Sequence, residues 1–485
     1  MNKILGIQIF LILLFVSNLA GAKEYNIIDY GATTDVTKLS TAAIQKSIDV
    51  CFANGGGIVL VPSGKFLTGT IILKSRVCLK LEKGATLLGS INPKDYIQTK
   101  PSYIAYRTAT ETRQLIYAEN QDDISIVGDG TIDGQGAAFI PTPKGNNDIG
   151  DEGITRPHLI QFISCTNVKI EDVFLTNSGA WMQHYLACDH LQIRGIRVNN
   201  FSNTNNDGID IDGCHVVLIS DCIFESADDG ITLKATGPRS CKDIVVTNCT
   251  VHSLSNAIKF GTETTGGFQN ITITNCTISP VENNKFKYND PDGSSAISLM
   301  INDGGILENV SISHITISET VCPIFIRLGN RSRKYIPGIE IPPVGKVKNI
   351  TISDIIAISS HQTTSSIVGI QGFDVENIVF DNVRIINKSK GTEEDAKRII
   401  PESSGYPTAN MHGDIMPASA FYVRHANNIS FINCQLIVED ENVRPAFVFD
   451  DARDIIIMHP TILSKKTKVK LFEAKQSDNI KVVEN

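Results

Sequence analysis

Apolar and polar residues alternate in short runs along most of this chain, and from about residue 120 the alternation settles into a recurring phrase. It reads D-D-I-S-I-V-G (122–128), T-N-V-K-I-E-D-V-F-L (166–175), D-H-L-Q-I-R-G-I-R-V (189–198), H-V-V-L-I-S-D-C-I-F (215–224), K-D-I-V-V-T-N-C-T-V (242–251) and Q-N-I-T-I-T-N-C-T-I (269–278), and it continues to R-D-I-I-I-M-H-P-T-I (453–462). Period-two alternation rich in Ile, Val and Thr is a strand signal, whereas a helix would repeat its apolar residues every three or four positions. Each phrase therefore predicts two or three short strands. Units of about 20 to 30 residues built this way cannot bury an apolar face alone and must stack on their neighbours. The fold class this predicts is all-β, a right-handed parallel β-helix. The L-x-x-L-x-L pattern of a leucine-rich horseshoe is missing, and a propeller would need a longer, four-stranded repeat.

The first coil of a solenoid exposes an apolar end and needs a cap. S-T-A-A-I-Q-K-S-I-D-V-C-F-A-N-G-G-G (40–57) predicts an N-terminal capping helix, with Ser40 or Thr41 at its start, Ile44, Ile48 and Cys51 on one face, and Gly55 ending it. Two polar stretches, 281–294 and 388–416, read as surface loops of one domain, because the phrase resumes in register after each. Ahead of the repeats, Lys3, the apolar run 4–16 and Ala20-Gly21-Ala22 have the form of an export signal cut after Ala22. The run is short for a membrane span, and no cysteine at the cut offers a lipid anchor. A secreted or periplasmic protein follows, with residues 23–485 forming a single β-helix domain, a monomer without a membrane anchor.

Composition agrees with a folded chain: 42% of the 485 residues are hydrophobic and 20% charged, enough for a large core and too apolar for disorder. The net charge of −8 argues against a nucleic-acid partner, which needs a dominant basic surface. An anionic ligand must therefore meet a local basic patch. Of the eleven cysteines, Cys222, Cys249 and Cys276 recur at one interval of 27 residues inside the phrase. They read as a buried stack of free thiols, since cysteine packs as a small apolar residue; one or two disulfides among the others stay open.

In a parallel β-helix, residues one coil apart in sequence lie about 4.8 Å apart in space. Asp207 and Asp229 are 22 residues apart, in D-G-I-D-I and D-G-I-T-L, which stacks Asp207 over Asp229 and Asn206 over Asp228. Carboxylates this close repel, so one holds its proton more readily than a free aspartic acid. Glycosidic bond cleavage requires that split: one acid to protonate the leaving oxygen, one carboxylate to activate water or attack. Asp and Asn residues at the bends of a solenoid also occur without chemistry. Two such elements one coil apart, the second with paired aspartates, favour the chemical reading. A calcium loop is the other alternative, but N-N-D-G-I-D-I-D (205–212) lacks the twelve-residue spacing and closing Glu. The reading calls for no metal and no cofactor.

The same alternation buries Ile258, Phe260, Ile297, Leu299, Ile324 and Ile326 and turns Lys259, Ser298, Met300 and Arg327 outward, with Lys234 beside them. These cations are either solvated strand lysines that deter edge pairing or a site for a uronate carboxylate; as a group they favour the site. Asp210 and Asp212 face outward too and meet sugar or solvent. His184, in W-M-Q-H (181–184), either lines the cleft or packs between coils.

At these residues the sequence resembles family 28 of the glycoside hydrolases, the polygalacturonase-like pectin hydrolases, over essentially the whole mature chain. D-Y-G-A (29–32), G-T-I-D-G-Q-G (130–136), R-P-H-L-I-Q-F (156–162) and W-M-Q-H follow that family's course; Asn205-Asn206-Asp207-Gly208 matches its N-T-D-G motif, and Asp228-Asp229 its paired aspartates. The resemblance implies that Asp228 is the general acid, that Asp207 and Asp229 hold the attacking water, and that configuration inverts. It implies a pectic polysaccharide or oligosaccharide as partner, and with that partner Asn205, Asn256, Lys259, Lys234, Arg327, His184 and Asp210 are assigned to substrate binding. Two positions depart from it. The histidine of the family's G-H-G is replaced by Asn256, and its R-I-K by Ser298-Leu299-Met300. A site without those charges suits a neutral sugar with a methyl group, such as rhamnose, and favours a rhamnogalacturonan-type bond over plain polygalacturonate. The rivals are a β-helix pectate lyase, which needs calcium, and a sugar-binding solenoid without catalysis.

Overall fold

Each repeat phrase bends at a residue whose backbone is left-handed, and that bend is what turns an alternating strand into a coil. Asp243, Asn270, Asn309, Asn349, Asn377 and Asn428 all have φ between 54° and 58°, a conformation that Asn and Asp tolerate better than other non-glycine residues. The computed structural model describes residues 23–108, 112–140, 156–282 and 291–484. Within them the strands pair in parallel, coil on coil, as in Asp189–Arg194 on His215–Ser220 and Lys346–Ser359 on Val375–Asn387. The exception is one short antiparallel pair, Gln98–Thr99 with Thr112–Glu119. The chain is a right-handed parallel β-helix. Its coils begin well before residue 120, at Gly57–Val61 and Val77–Leu81, where the phrase is too degenerate to be seen in the sequence. The proposed export signal lies outside the described residues, as does most of the 281–294 loop. Among the described residues no helix is long and apolar enough to cross a membrane.

The cap is the helix Thr41–Ala53, which buries Ile44, Ser47, Ile48 and Cys51 against the first coils. Ser40 occupies the N-cap position but does not cap the helix. Its hydroxyl exchanges two hydrogen bonds with the backbone of Thr33 instead, while the Thr41 hydroxyl accepts the N–H of Gly69. The helix is thereby stitched to the solenoid rather than closed on itself.

Inside, like stacks on like. Ile211, Leu233, Phe260, Leu299 and Ile326 form one apolar row through successive coils, all fully buried. The expected thiol stack at Cys222, Cys249 and Cys276 is present and buried, and a second one, Cys165, Cys188, Cys214 and Cys241, runs beside it. All eleven cysteines are free, so none of the disulfides left open by the sequence is formed. At the bend, Asn270 donates Nδ2–H to Asp243, and Asn309, Asn349, Asn377 and Asn428 each donate to the rung before, at 2.6–3.5 Å.

Candidate active site

The spacing of 22 residues does stack the acidic elements. Ile209 and Ile211 pair with Ile231 and Leu233, and the N–H of Gly208 bonds to the carbonyl of Asp229 at 2.8 Å, so Asp207 lies over Asp229. The N–H of Asp228 reaches the carbonyl of Asn206 at 3.3 Å. One coil further, Asn256 continues the row. Gly208 and Gly230 let the coils close here: a Cβ on Gly208 would lie 2.6 Å from the carbonyl oxygen of Gly230, and one on Gly230 would lie 2.6 Å from that of Ala257.

The aspartates differ in environment. Asp229 is 2% exposed and is held by an ion pair to Lys259 at 2.6 Å, by the Asn256 side chain at 2.7 Å and by the Asn256 backbone N–H at 3.2 Å. Burial raises its pKa, but the two nearby ammonium groups of Lys259 and Lys234 and these hydrogen bonds bring it below the ordinary value. It is ionised. Asp207, 3% exposed, has no such partner. Burial, and then the negative charges of Asp210, Asp228 and Asp229, push its pKa well above the usual carboxylate range. Asp228 is the half-buried member of the three, and its Oδ1 accepts the N–H of Asp229 at 3.0 Å.

Asp210 does not face solvent, as its place in the alternation suggested. It is fully buried, beneath Lys234 at 3.5 Å and within hydrogen-bonding reach of Asp207 when one of the two is protonated. Burial raises its pKa to about 7. Asp207 and Asp210 thus both favour the protonated form, in contrast to Asp229. Asp212 is also buried, accepting from the backbone and hydroxyl of Thr236 at 2.9 and 2.6 Å.

The outward strip is outward from the core but not free. Lys259 is 5% exposed and committed to Asp229. Lys234, 3% exposed, sits over the Trp181 ring at 4.7 Å, with Asp210 at 3.5 Å and Glu263 at 3.6 Å. His184 is not a cleft residue: it is 1% exposed, bound to Asp212 at 3.1 Å and Gln161 at 3.2 Å, and edge-on to Trp181. It packs edge-on against Trp181, which is the second of the two placements its sequence context left open. Asn205, half-buried at φ 54°, accepts a hydrogen bond from Arg156 at 3.0 Å, and Asn206 turns inward to the carbonyls of Ser178 and Ala180. Both brace the loop that presents Asp207. Asn256 uses its carboxamide oxygen to accept from Ser295 and Ser298, at 2.7 and 3.0 Å, so it relays those hydroxyls to Asp229. Met300 packs with Cys322, Phe325, Ala409 and Met411 and is covered by the 388–416 loop. Arg327 lies three coils from Asp229, about 14 Å along the axis, so it does not join the aspartates.

Sequence reasoning missed a second charged cluster beside the first. Glu263, 3% exposed, takes Arg107 at 2.8 Å, Arg333 at 3.5 Å and Lys234 at 3.6 Å, and these cations hold its pKa well below the ordinary value against the pull of burial. Arg107 lies over Trp181 at 4.9 Å. An acidic residue two positions after a glycine in a strand interior, Gly261-Thr262-Glu263, was the available signal. The residues that pair with it come from distant segments and could not be read.

Stacked aspartates on the flank of a parallel β-helix, beside an aromatic ring and clustered cations, are an arrangement suited to a glycoside hydrolase. The chain belongs to the glycosyl hydrolases family 28, whose model matches residues 51–402. It is 34% identical over 223 residues to a probable polygalacturonase of Vitis vinifera, covering 44% of this chain and 45% of that protein. It is 27% identical over 222 residues to a probable rhamnogalacturonase A of Aspergillus oryzae, covering 45% of this chain and 41% of the other. The matches thus span less than half the length of these curated relatives. An exopolygalacturonase structure from Thermotoga maritima superposes with a TM-score of 0.62 at 23% identity, over 75% of this chain and 87% of that one, a likeness of fold.

Proposed function

We propose that the chain is an inverting hydrolase of galacturonate-containing glycosidic bonds in pectic polysaccharide, and that it cuts the rhamnogalacturonan-type bond, galacturonate to rhamnose, in preference to plain polygalacturonate. The observation that carries the hydrolytic reading is the stack of aspartates on one flank, Asp207 over Asp229 with Asp228 beside them and Lys259 paired to Asp229. Asp228, the one least buried, gives its proton to the leaving oxygen. Asp229 takes the proton of the attacking water, and Asp207 orients that water. Family resemblance supports these roles, and positioned acid–base groups of this kind contribute roughly 10²–10⁴-fold each to rate.

The preference rests on Asn256, Ser298 and Met300. Where related hydrolases carry His, Arg and Lys, these neutral side chains are tied to one another or buried under the loop, and no cation reaches a sugar from them. A neutral sugar fits that position. The pattern of residues 1–22 supports export to the periplasm or medium, and one catalytic domain, residues 23–485, acts as a monomer.

The test is product analysis by mass on a panel of pectic oligosaccharides in heavy-oxygen water. One heavy oxygen should enter the new galacturonate reducing end of rhamnogalacturonan fragments. Galacturonate released from polygalacturonate, with rhamnogalacturonan left intact, would sink the preference. Products with no heavy oxygen and an unsaturated end would sink hydrolysis itself. The Asp228→Asn variant should keep binding and lose turnover.

A further inference from the structure

The charged residue that sequence placed beside the aspartates, Arg327, belongs to a different cavity. It is 3% exposed, and its guanidinium donates to the carbonyls of Gly369 at 2.7 Å and Ser403 at 3.0 Å. Among the described residues no carboxylate stands within ion-pair distance of it. Burial lowers its pKa to about 10, only partly offset by the charge of Glu402, so this buried cation has hydrogen-bond partners but no ion pair. It lines a cavity of about 420 Å³ together with Asn302, Arg331, Gln371, Glu402 and Ser404. Asn302 is 3% exposed, and its carboxamide nitrogen has no hydrogen-bond acceptor. Of the other charges, Arg331 is paired with Asp303, and Glu402 is paired with Arg424 at 2.5 Å and hydrogen-bonded to His425 at 2.8 Å. What remains is a guanidinium without an ion pair and an unused amide donor, both facing one cavity.

A chain of polar contacts links the cavity wall to the aspartate face. Arg331 donates to the carbonyl of Thr262 at 2.7 Å, the neighbour of Glu263, and Glu263 reaches Lys234. Tyr406, 63% exposed, lies between, close enough to act on both Lys259 and Arg331. The cavity's outer wall is the segment after Arg398. It is fastened by Arg327 to Ser403, by Arg424 to the carbonyl of Ile400 at 2.7 Å, and by Ala409 and Met411 packed on Met300.

We propose that this cavity is a subsite for a carboxylate-bearing sugar, further along the polymer than the sugars that meet the aspartates. The proposal rests on the reading of the chain as a pectin hydrolase. A uronate carboxylate supplies the anion that Arg327 lacks and the acceptor that Asn302 lacks, through charge-assisted hydrogen bonds to two side chains that are themselves buried. A neutral position at Asn256 and Ser298 followed by an acidic subsite at Arg327 fits a chain in which neutral and acidic sugars alternate.

Calorimetric titration tests this on the full chain carrying Asp228→Asn, with alternating galacturonate–rhamnose oligosaccharides in the acid form and as methyl esters. The acid form should bind at least tenfold more tightly. Asn302→Asp, which places a negative charge beside Arg327, should abolish that ratio without lowering the melting temperature, and Asn302→Leu should reduce it. An unaltered acid-to-ester ratio in both variants overturns the subsite. Failure of the parent enzyme to cleave any pectic oligosaccharide would instead overturn the functional reading, and acid-form binding that still depends on Asn302 would leave the subsite standing.

Discussion

Two rows of polar side chains run along this solenoid, one at the bend and one in the cleft, and the same coil spacing makes both. At the bend, Asn270, Asn309, Asn349, Asn377 and Asn428 stack on one another. In the cleft, Asp207, Asp229 and Asn256 do. A carboxamide carries both a donor and an acceptor, so a stack of them satisfies itself. A carboxylate only accepts, and a stack of carboxylates accumulates charge that something else must answer. Here an ammonium, a raised carboxyl pKa and an amide answer it, at Lys259, at Asp207 and Asp210, and at Asn256. The repeat thus produces structure where its stacked residue is neutral, and reactive chemistry where it is charged.

The sharpest way to break the contrast is to remove the cation. Lys259→Met leaves Asp229 buried with a charge and no ammonium, and losing one partner of a buried pair costs about 3–5 kcal/mol. Chemical denaturation should show that loss, with activity falling alongside. Adding Asp229→Asn should restore most of the stability and none of the activity. A single variant as stable as the parent would mean that the ion pair does not hold the cleft together.

How much of this was legible follows from the same contrast. Whatever repeats could be read: the coil, its handedness class, the thiol stack at Cys222, Cys249 and Cys276, and the 22-residue offset that places Asp207 over Asp229. Alternation also gave the side of the strand on which Lys259, Lys234 and Arg327 lie. It could not say what covers that side. Burial of Asp210 and His184 comes from Trp181 and Lys234 folding over them, and burial of Met300 and Arg327 from a loop more than seventy residues downstream. Arg107 and Arg333 converge on Glu263 from segments with no periodic relation to it. Non-repeating contacts leave no spacing to read.

A smaller effect, read through pH, sharpens the carboxylate half of the comparison. Asp210 rises from the ordinary aspartate value, 3.8, to about 7 on folding. An acid whose pKa is raised by folding binds its proton more tightly in the folded chain, so its contribution is fully present below about 3.8 and is lost as pH rises through 7. Asp229, with its lowered pKa, works the other way: its contribution is present above 3.8 and is lost as pH falls below that value. The parent should therefore melt at progressively lower temperature from pH 4 to pH 7 relative to Asp210→Asn, by on the order of a few degrees for a chain of this size. Parallel melting curves across that range would show that Asp210 carries no raised pKa.

The smallest effect belongs to the bend. Asn309 is exposed, has φ 58°, donates to Asn270 at 3.2 Å and accepts from Asn349 at 3.5 Å. Asn309→Ala loses both bonds and puts a Cβ without local hydrogen bonding into a left-handed backbone, a combined cost of about 1–2 kcal/mol. Asn309→Gly loses the same bonds but relaxes the backbone, so it should recover the conformational share and isolate the ladder's own worth. Neither change should alter turnover on any pectic substrate, because no charge is left unanswered when a neutral rung is removed. Measured side by side with Lys259→Met, the pair tests whether the two rows differ in kind. A loss of activity in Asn309→Ala comparable to that in Lys259→Met would show that the cleft depends on the regularity of the whole solenoid, and not on the charges collected in it.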